Sequence, residues 1–388
     1  MFDQQTIEAF HRIDTPFYYY DMELLRQTLT AATEEASGKG IFLHYALKAN
    51  SNDAILRMIS GMGMGADCVS GNEVSRAIST GFRPGQIVFS GVGKSDTEIL
   101  EALKHDILSF NCESLQELEV INFLAASQGK IASVALRINP NVHALTHHYI
   151  TTGLEENKFG INGWELEDVI LKLKECHNLE LTGLHFHIGS QITDFIAFKN
   201  LCSRVNEINQ WFLQRHICPR ILNLGGGLGI DYLNPDESPI PDFKTYFSIF
   251  DELLELLPGQ ELHLEPGRAL VAQCGSLITR VLFIKKGVKI NFAICDAGMT
   301  ELIRPALYQA YHKIQNLTSD SGEFIKYDVV GPICESSDCF GKMVTLPVTA
   351  RGDLLAIRST GAYGETMASR YNLRDLVKAH YSDELLNR

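Results

Sequence analysis

Between residues 41 and 265 the sequence repeats one unit: a short apolar run, then a longer segment with helical spacing. The apolar runs lie at 41–48 (IFLHYALK), 62–67, 87–90 (IVFS), 107–110 (ILSF), 132–138 (ASVALRI), 181–187 (LTGLHFH), 220–224 (RILNL) and 261–265 (ELHLE). Strands separated by helices cannot pair as hairpins, so the pattern predicts parallel strands joined by helical crossovers. Eight such strands in about 220–250 residues are the number that closes a (β/α)8 barrel. A doubly wound sheet is the alternative, because strand number is easier to read than closure. Ser70–Glu73, Ser95–Glu98 and Ser114–Glu117 each place a hydroxyl three residues before a carboxylate, which predicts capping boxes at three helix starts.

After about residue 268 the rhythm changes. Runs at 276–284, 290–295, 325–330, 343–348 and 353–358 are strand-like with few helices between them, as in an antiparallel β domain. The aromatic segment 16–20 (PFYYY) is β-prone and could join either unit. The fold class expected is α/β, a barrel over residues 21–268, with 1–20 and 269–388 forming the β domain. A chain of 388 residues that is 45% hydrophobic can bury cores of that size. Its net charge of −13 argues against general nucleic-acid binding, yet leaves room for a local cationic pocket. Nine cysteines without a CxxC pair suggest reduced thiols in a cytoplasm. The first residues lack a basic and an apolar signal region, and no apolar stretch approaches the ~18 residues of a membrane span. A soluble intracellular protein is expected.

Several residues could carry chemistry. Lys48 ends the first barrel strand, where barrel enzymes place catalytic groups, and Ala46, Leu47 and Ala49 around it would desolvate its amine. Gly225–Gly229 (GGGLG) follows the seventh strand, a position that often holds phosphate on backbone N–H groups. Glu265 ends the eighth strand beside Arg268 and could accept a proton-bearing ring nitrogen, or serve in a structural salt bridge. His185 and His187 alternate onto one side of the sixth strand. They could begin a metal site, but one could instead stack on a flat ring while the other packs in the wall. Arg304 and Tyr308 are four apart and could clamp a carboxylate if helical. Cys334 beside Glu335 and Tyr363 between glycines are weaker candidates, and Cys334 with Cys339 does not form a zinc pattern. A lysine amine, a glycine nest and a buried carboxylate are together the needs of pyridoxal phosphate used as an electron sink.

The stretches YALKAN, GADCVSGNE, NKFGI, HFHIGSQ, LGGGLGI, EPGR, DAGM with RPALY, GPICESSD and GAYGETMAS run nearly end to end. In them the chain resembles the fold-type III pyridoxal-phosphate decarboxylases, most closely the diaminopimelate decarboxylases, although it is somewhat short for them. The resemblance implies a barrel plus a β domain that takes in the N-terminal segment. It implies that Lys48 carries the cofactor on its amine, that His187 stacks on the ring and that Glu265 pairs with the ring nitrogen. Ser190, Gly226, Gly227 and the backbone around Gly267 and Arg268 would hold the phosphate. Arg268, Arg304 and Tyr308 would bind the far end of meso-2,6-diaminopimelate, with Glu335 on its amine and Tyr363 on both substrate and cofactor. The implied catalytic residues are Lys48, His187 and Cys334, the last donating a proton across a homodimer interface. No metal, membrane or nucleic-acid partner is implied. The reaction would yield L-lysine and CO2, the last step of lysine biosynthesis.

Decarboxylases of ornithine, arginine or carboxynorspermidine are the rivals on the same fold. Arg268 with RPALY favours a second carboxylate, whereas a diamine-forming enzyme needs an acidic far pocket. A racemase, a non-catalytic relative and a metal hydrolase built on His185 and His187 are more distant alternatives.

Overall fold

The computed structural model describes residues 2–142 and 158–385. The chain divides into two compact units. One consists of Leu29–Gly229 and Asp242–Gly267, the other of Met1–Thr28, Ile230–Pro241 and Arg268–Arg388. The first strand, β1 (Phe17–Tyr20), belongs to the second unit.

Eight strands then build the first unit: β2 (Ile41–Ala46), β3 (Gly65–Cys68), β4 (Ile87–Phe89), β5 (Ser109–Cys112), β6 (Ala132–Arg137), β7 (Leu179–His185), β8 (Ile221–Asn223) and β9 (Glu261–Leu264). They close into a barrel in sequence order, all neighbours parallel. β9 returns to β2 with Ile41 opposite Leu262 and Leu43 opposite Leu264. Closure settles the choice against an open sheet. The strands are buried almost throughout, because side chains fill the interior and helices cover the outside. Two strands sit two or three residues later than expected, since 62–64 and 107–108 complete the turns that follow their helices.

Only one of the three capping boxes forms in full. Ser95 and Glu98 bond reciprocally at the start of the helix Asp96–Lys104. Ser70 and Ser114 also accept the N–H three residues on, but their partner carboxylates reach one residue further back. Glu73 takes the Val69 N–H at 2.7 Å, and Glu117 takes the Glu113 N–H at 2.6 Å while pairing with buried Lys94.

The second unit carries β10 (Gly275–Lys286), β11 (Asn291–Cys295), β12 (Ile314–Asn316), β13 (Phe324–Val330), β14 (Cys339–Pro347), β15 (Leu354–Ile357) and β16 (Ala379–Tyr381). The main path runs β12-β15-β10-β11-β13-β14, with β1 beside β10 and β16 beside β1. Most pairs are antiparallel, but β11–β13 and β1–β16 are parallel. The PFYYY segment therefore joins the β unit, with Phe17 opposite Ile278 and Phe10, Phe17 and Tyr19 packed on Ile278 and Leu354.

The boundaries differ from the expected ones in three ways. The second unit extends to Thr28, begins again at Arg268 rather than 269, and takes in Ile230–Pro241, which the sequence pattern leaves inside the barrel. Side-chain chemistry explains the last. Asp236 pairs with Arg358 at 2.9 Å, and the Tyr232 hydroxyl lies on Arg268 and Arg304.

Candidate active site

Barrel closure decides which strand ends meet. Because β2 and β9 are neighbours, the Ala46 N–H donates to the Pro266 carbonyl at 3.3 Å, and the turns after the two strands run side by side. Lys48 lies in the 3-10 turn Leu47–Ala49 that follows β2, just beyond the strand rather than within it. Its Nζ is 3.2 Å from Asp67 Oδ2 at the end of β3. The expected desolvation of this amine is not found. Ala46, Leu47 and Ala49 are buried, but the Lys48 side chain is 41% exposed, so a neighbouring charge holds it rather than a dry surround. Asp67 is buried and accepts the Ser90 hydroxyl at 2.7 Å, and Asn111 bonds Ser90 in turn. Burial, then the Glu265 charge, push Asp67 above the usual carboxylate range, with Lys48 opposing them.

Glu265 follows β9 and is 6% exposed. Its Oε2 lies 3.0 Å from His185 Nε2 and its Oε1 accepts from Asn223 Nδ2 at 2.7 Å. Burial alone would raise its pKa. The His185 charge and hydrogen bond, with the Lys48 cation, outweigh burial and hold the carboxyl well below its usual range. Asn223 also accepts the Gly225 N–H at 2.9 Å, so one amide ties the glycine loop to the carboxylate. His185 thus belongs to the wall, with Nε2 committed to Glu265. Among the described residues no set of three or more His, Cys, Asp or Glu side chains is placed to hold a metal ion.

His187 lies beyond the end of β7. The Gly226 N–H donates to its Nδ1 at 3.4 Å, which leaves the ring proton on Nε2. Burial, then the Arg137 and Lys48 cations, hold the imidazole well below its usual range, so the ring is a neutral flat face. Ser190 sits in the loop before Ile192, whose N–H and carbonyl bond Gly227 and Gly229 at 2.9 Å each. The Ser190 loop and the glycine loop are therefore laced together. Gly227 adopts a φ of +111°, and a Cβ on Gly226 would stand 2.1 Å from the Glu265 carbonyl oxygen. Backbone cannot swing aside as a side chain can. Gly226→Ala is expected to cost about 3 kcal/mol of stability, measured by urea unfolding, and to loosen whatever the loop holds.

A second cluster lies within the other unit. The Arg268 guanidinium stands 4.8 Å over the Tyr363 ring and bonds Tyr232 Oη at 2.6 Å. Arg304 opens the short helix Arg304–Tyr308 and bonds the same oxygen at 2.8 Å. Its remaining described partner is His312 Nε2, at 3.1 Å. Arg304 is 5% exposed and pairs with no carboxylate among the described residues. A buried cation with only a phenol and an imidazole beside it is poised for an anion. Tyr308 shares that helix.

Cys334 and Glu335 lie in an exposed loop rather than in a buried core position. Glu335 accepts the Tyr371 hydroxyl at 2.8 Å. The buried Asp338 pins this loop by accepting the Ile333 and Met299 N–H groups, each at 2.6 Å. Four partners escape a reading of the sequence: Asp67, Asn223, Tyr232 and His312. Asp67 and Asn223 had a usable signal, a lone polar residue at the end of an apolar strand. Tyr232 and His312 had none.

A cavity of about 420 Å³ opens at the opposite, N-terminal ends of β2 and β9, around His44 and His263. Its polar groups satisfy one another: His44 bonds the Gln86 carbonyl and His263, and Arg220 holds Glu261 at 2.8 and 2.9 Å. At that end of a barrel such pairing serves stability.

The C-terminal ends, by contrast, fit a phosphorylated pyridine cofactor. They offer an accessible amine, an ionised buried carboxylate, a neutral flat imidazole and a glycine loop. Residues 23–272 match the family model of the pyridoxal-dependent decarboxylases, pyridoxal-binding domain. A diaminopimelate decarboxylase from Bacteroides thetaiotaomicron is 56% identical over 381 residues, 98% of each chain. The crystal structure of a point mutant of the Helicobacter pylori diaminopimelate decarboxylase, complexed with L-lysine, superposes with a TM-score of 0.91 at 42% identity. It covers 97% of this chain and 94% of the other. A diaminopimelate decarboxylase from M. jannaschii gives a TM-score of 0.89 at 36% identity, over 97% and 89% of the two chains. Closed barrel, strand-end chemistry and full-length likeness agree: the chain belongs to the diaminopimelate decarboxylase group of the fold-type III pyridoxal-dependent decarboxylases.

Proposed function

We propose that this chain is a carboxy-lyase that uses pyridoxal 5′-phosphate to convert meso-2,6-diaminopimelate to L-lysine and CO2. The observation that carries the substrate choice is Arg304, a buried guanidinium whose described partners are not acids. A substrate with a second carboxylate supplies the missing counter-charge, whereas the far end of ornithine or arginine is itself cationic. The relatives that match this chain nearly end to end bear the same activity in their names.

When bound, the cofactor supplies a protonated pyridine ring that accepts the electron pair left as CO2 departs. The residue roles are those the resemblance implies, and the positions of Lys48, Glu265, His187 and Arg304 support them. Lys48 Nζ is the amine that would hold the cofactor. Glu265 keeps a proton on the ring nitrogen, and His185 and Asn223 hold that carboxylate in place. His187 offers its face to the ring. Ser190, Gly226, Gly227 and the backbone near Gly267 take the phosphate. Arg268, Arg304 and Tyr308 would bind the far carboxylate and Glu335 the far amine, and Tyr363 would contact substrate and cofactor, as the resemblance implies. Cys334 Sγ returns a proton to the carbon that lost CO2. Its exposure in a single chain supports a homodimer in which it serves the partner's site. Nine free thiols support a cytoplasmic location, and among the described residues no helix is long and apolar enough to cross a membrane.

The test is CO2 release by purified holoenzyme from meso-diaminopimelate, ornithine, arginine and lysine in parallel. Release from meso-diaminopimelate alone, or at least about 100-fold faster in kcat/KM, is expected. Faster turnover of a diamine precursor would overturn the reading.

A further inference from the structure

We propose that the Tyr232 hydroxyl and the His312 ring set the guanidinia of Arg268 and Arg304 as one two-pronged receptor for the far carboxylate of the substrate. The proposal rests on the decarboxylase reading above. It names two positioning residues, which act through the arginines and not on the reacting atoms.

Tyr232 lies seven residues past Gly225, in the segment that joins the β unit. Its oxygen is 2.6 Å from Arg268 Nη1 and 2.8 Å from Arg304 Nη1. The two nitrogens can therefore be no farther apart than those two bonds laid end to end, a gap that one carboxylate can bridge. Both arginines are buried, 6% and 5% exposed, so their mutual repulsion is poorly screened by water. A shared acceptor offsets it. The phenol responds: burial would raise its pKa, but the Arg268 and Arg304 charges and hydrogen bonds together bring it below the usual value.

His312 fixes the second prong. Its Nδ1 is 2.9 Å from the Arg358 carbonyl, which can only accept, so the ring proton sits there. Nε2 then presents a lone pair to Arg304 Nη1 at 3.1 Å. Burial, then the Arg304 charge, bring His312 down to about 3, so it remains an acceptor at neutral pH. Its ring also meets the Tyr232 ring edge-on, 5.0 Å between centroids at 78°. Arg304 Nη1 has two hydrogens, and Tyr232 and His312 take one each. Nε and Nη2 are left to face a carboxylate. The arrangement defines the direction of the fork as well as its charge, which a pair of mobile arginines would not.

The experiment compares wild-type holoenzyme with Tyr232→Phe, His312→Gln and His312→Leu. It reads steady-state kinetics on meso-diaminopimelate and calorimetric binding of pimelate, the same carbon chain without its amines. Tyr232→Phe is expected to raise KM about ten- to a hundred-fold, with kcat within about threefold, and to weaken pimelate by a similar factor. His312→Leu should reproduce this, whereas His312→Gln, which keeps an acceptor for Arg304, should recover most of it. A folded Tyr232→Phe enzyme, with native circular dichroism and visible band, that keeps wild-type KM and pimelate affinity overturns the proposal. So does one that loses kcat alone. Should Tyr232→Phe fail to fold, the two His312 variants decide, because a merely structural role would not separate Gln from Leu in KM. Should wild-type enzyme release no CO2 from meso-diaminopimelate, the decarboxylase reading fails. Pimelate binding, and its loss in the variants, would still decide the receptor.

Discussion

Lys48→Ala protein, purified with excess pyridoxal phosphate, is expected to lack the visible absorbance near ~420 nm and to lose at least about 10⁴-fold in turnover. The amine at this position is accessible and stands 3.2 Å from Asp67, which keeps it at the end of β3 without enclosing it. Lys94, a barrel lysine four residues past Ser90 at the end of β4, cannot substitute. Its side chain is 1% exposed, and its amine is spent on the Gly91 and Asn111 carbonyls and on Glu117. The absorption spectrum and a CO2 assay check the outcome together. An unchanged spectrum would place the attachment elsewhere and remove the basis of the site.

Glu265→Gln is expected to retain the cofactor with little loss of affinity, yet to lower kcat about 10²- to 10³-fold, equivalent to about 3–4 kcal/mol of barrier. The amide keeps the size and the hydrogen bond to Asn223 but removes the charge that holds a proton on the ring nitrogen. An unprotonated pyridine is a far poorer electron acceptor. The native carboxyl lies well below its usual range because His185 and Lys48 outweigh burial. Its folded value is thus below its unfolded one. Its ionised form therefore contributes stability above the unfolded carboxylate range, and that contribution is lost as pH falls toward the folded value. Near-normal kcat in Glu265→Gln would contradict the assigned role. A melting curve taken alongside separates it from simple unfolding.

The eight parallel strands were legible because strands covered on both faces read as apolar runs. Lys48 and Glu265 were legible because each interrupts such a run at its end. Other features depended on geometry that one-dimensional spacing does not carry. Asp67 and Asn223 left a signal as polar residues at the ends of apolar strands, but strands of four and three residues carry no periodicity to sharpen it. Tyr232 and His312 reach Arg304 from separate segments, so no local pattern announces them. The capping boxes at Ser70 and Ser114 were half right, since each carboxylate takes the N–H one residue before the cap instead of the cap's own. Lys48 was expected in dry surroundings from its apolar neighbours in sequence, but the chain turns there and carries the amine outward.

The adjacency of β2 and β9 has a consequence for how the enzyme matures. The seam between them joins the earliest and latest staves of the ring, and the amine and the carboxylate stand on either side of it. A nascent chain that has yet to add its final stave has the lysine but not its counterpart. Chemistry therefore cannot begin before the cylinder is sealed, and a partly wound intermediate, which also lacks Arg304 and Cys334, has no means of turning over substrate.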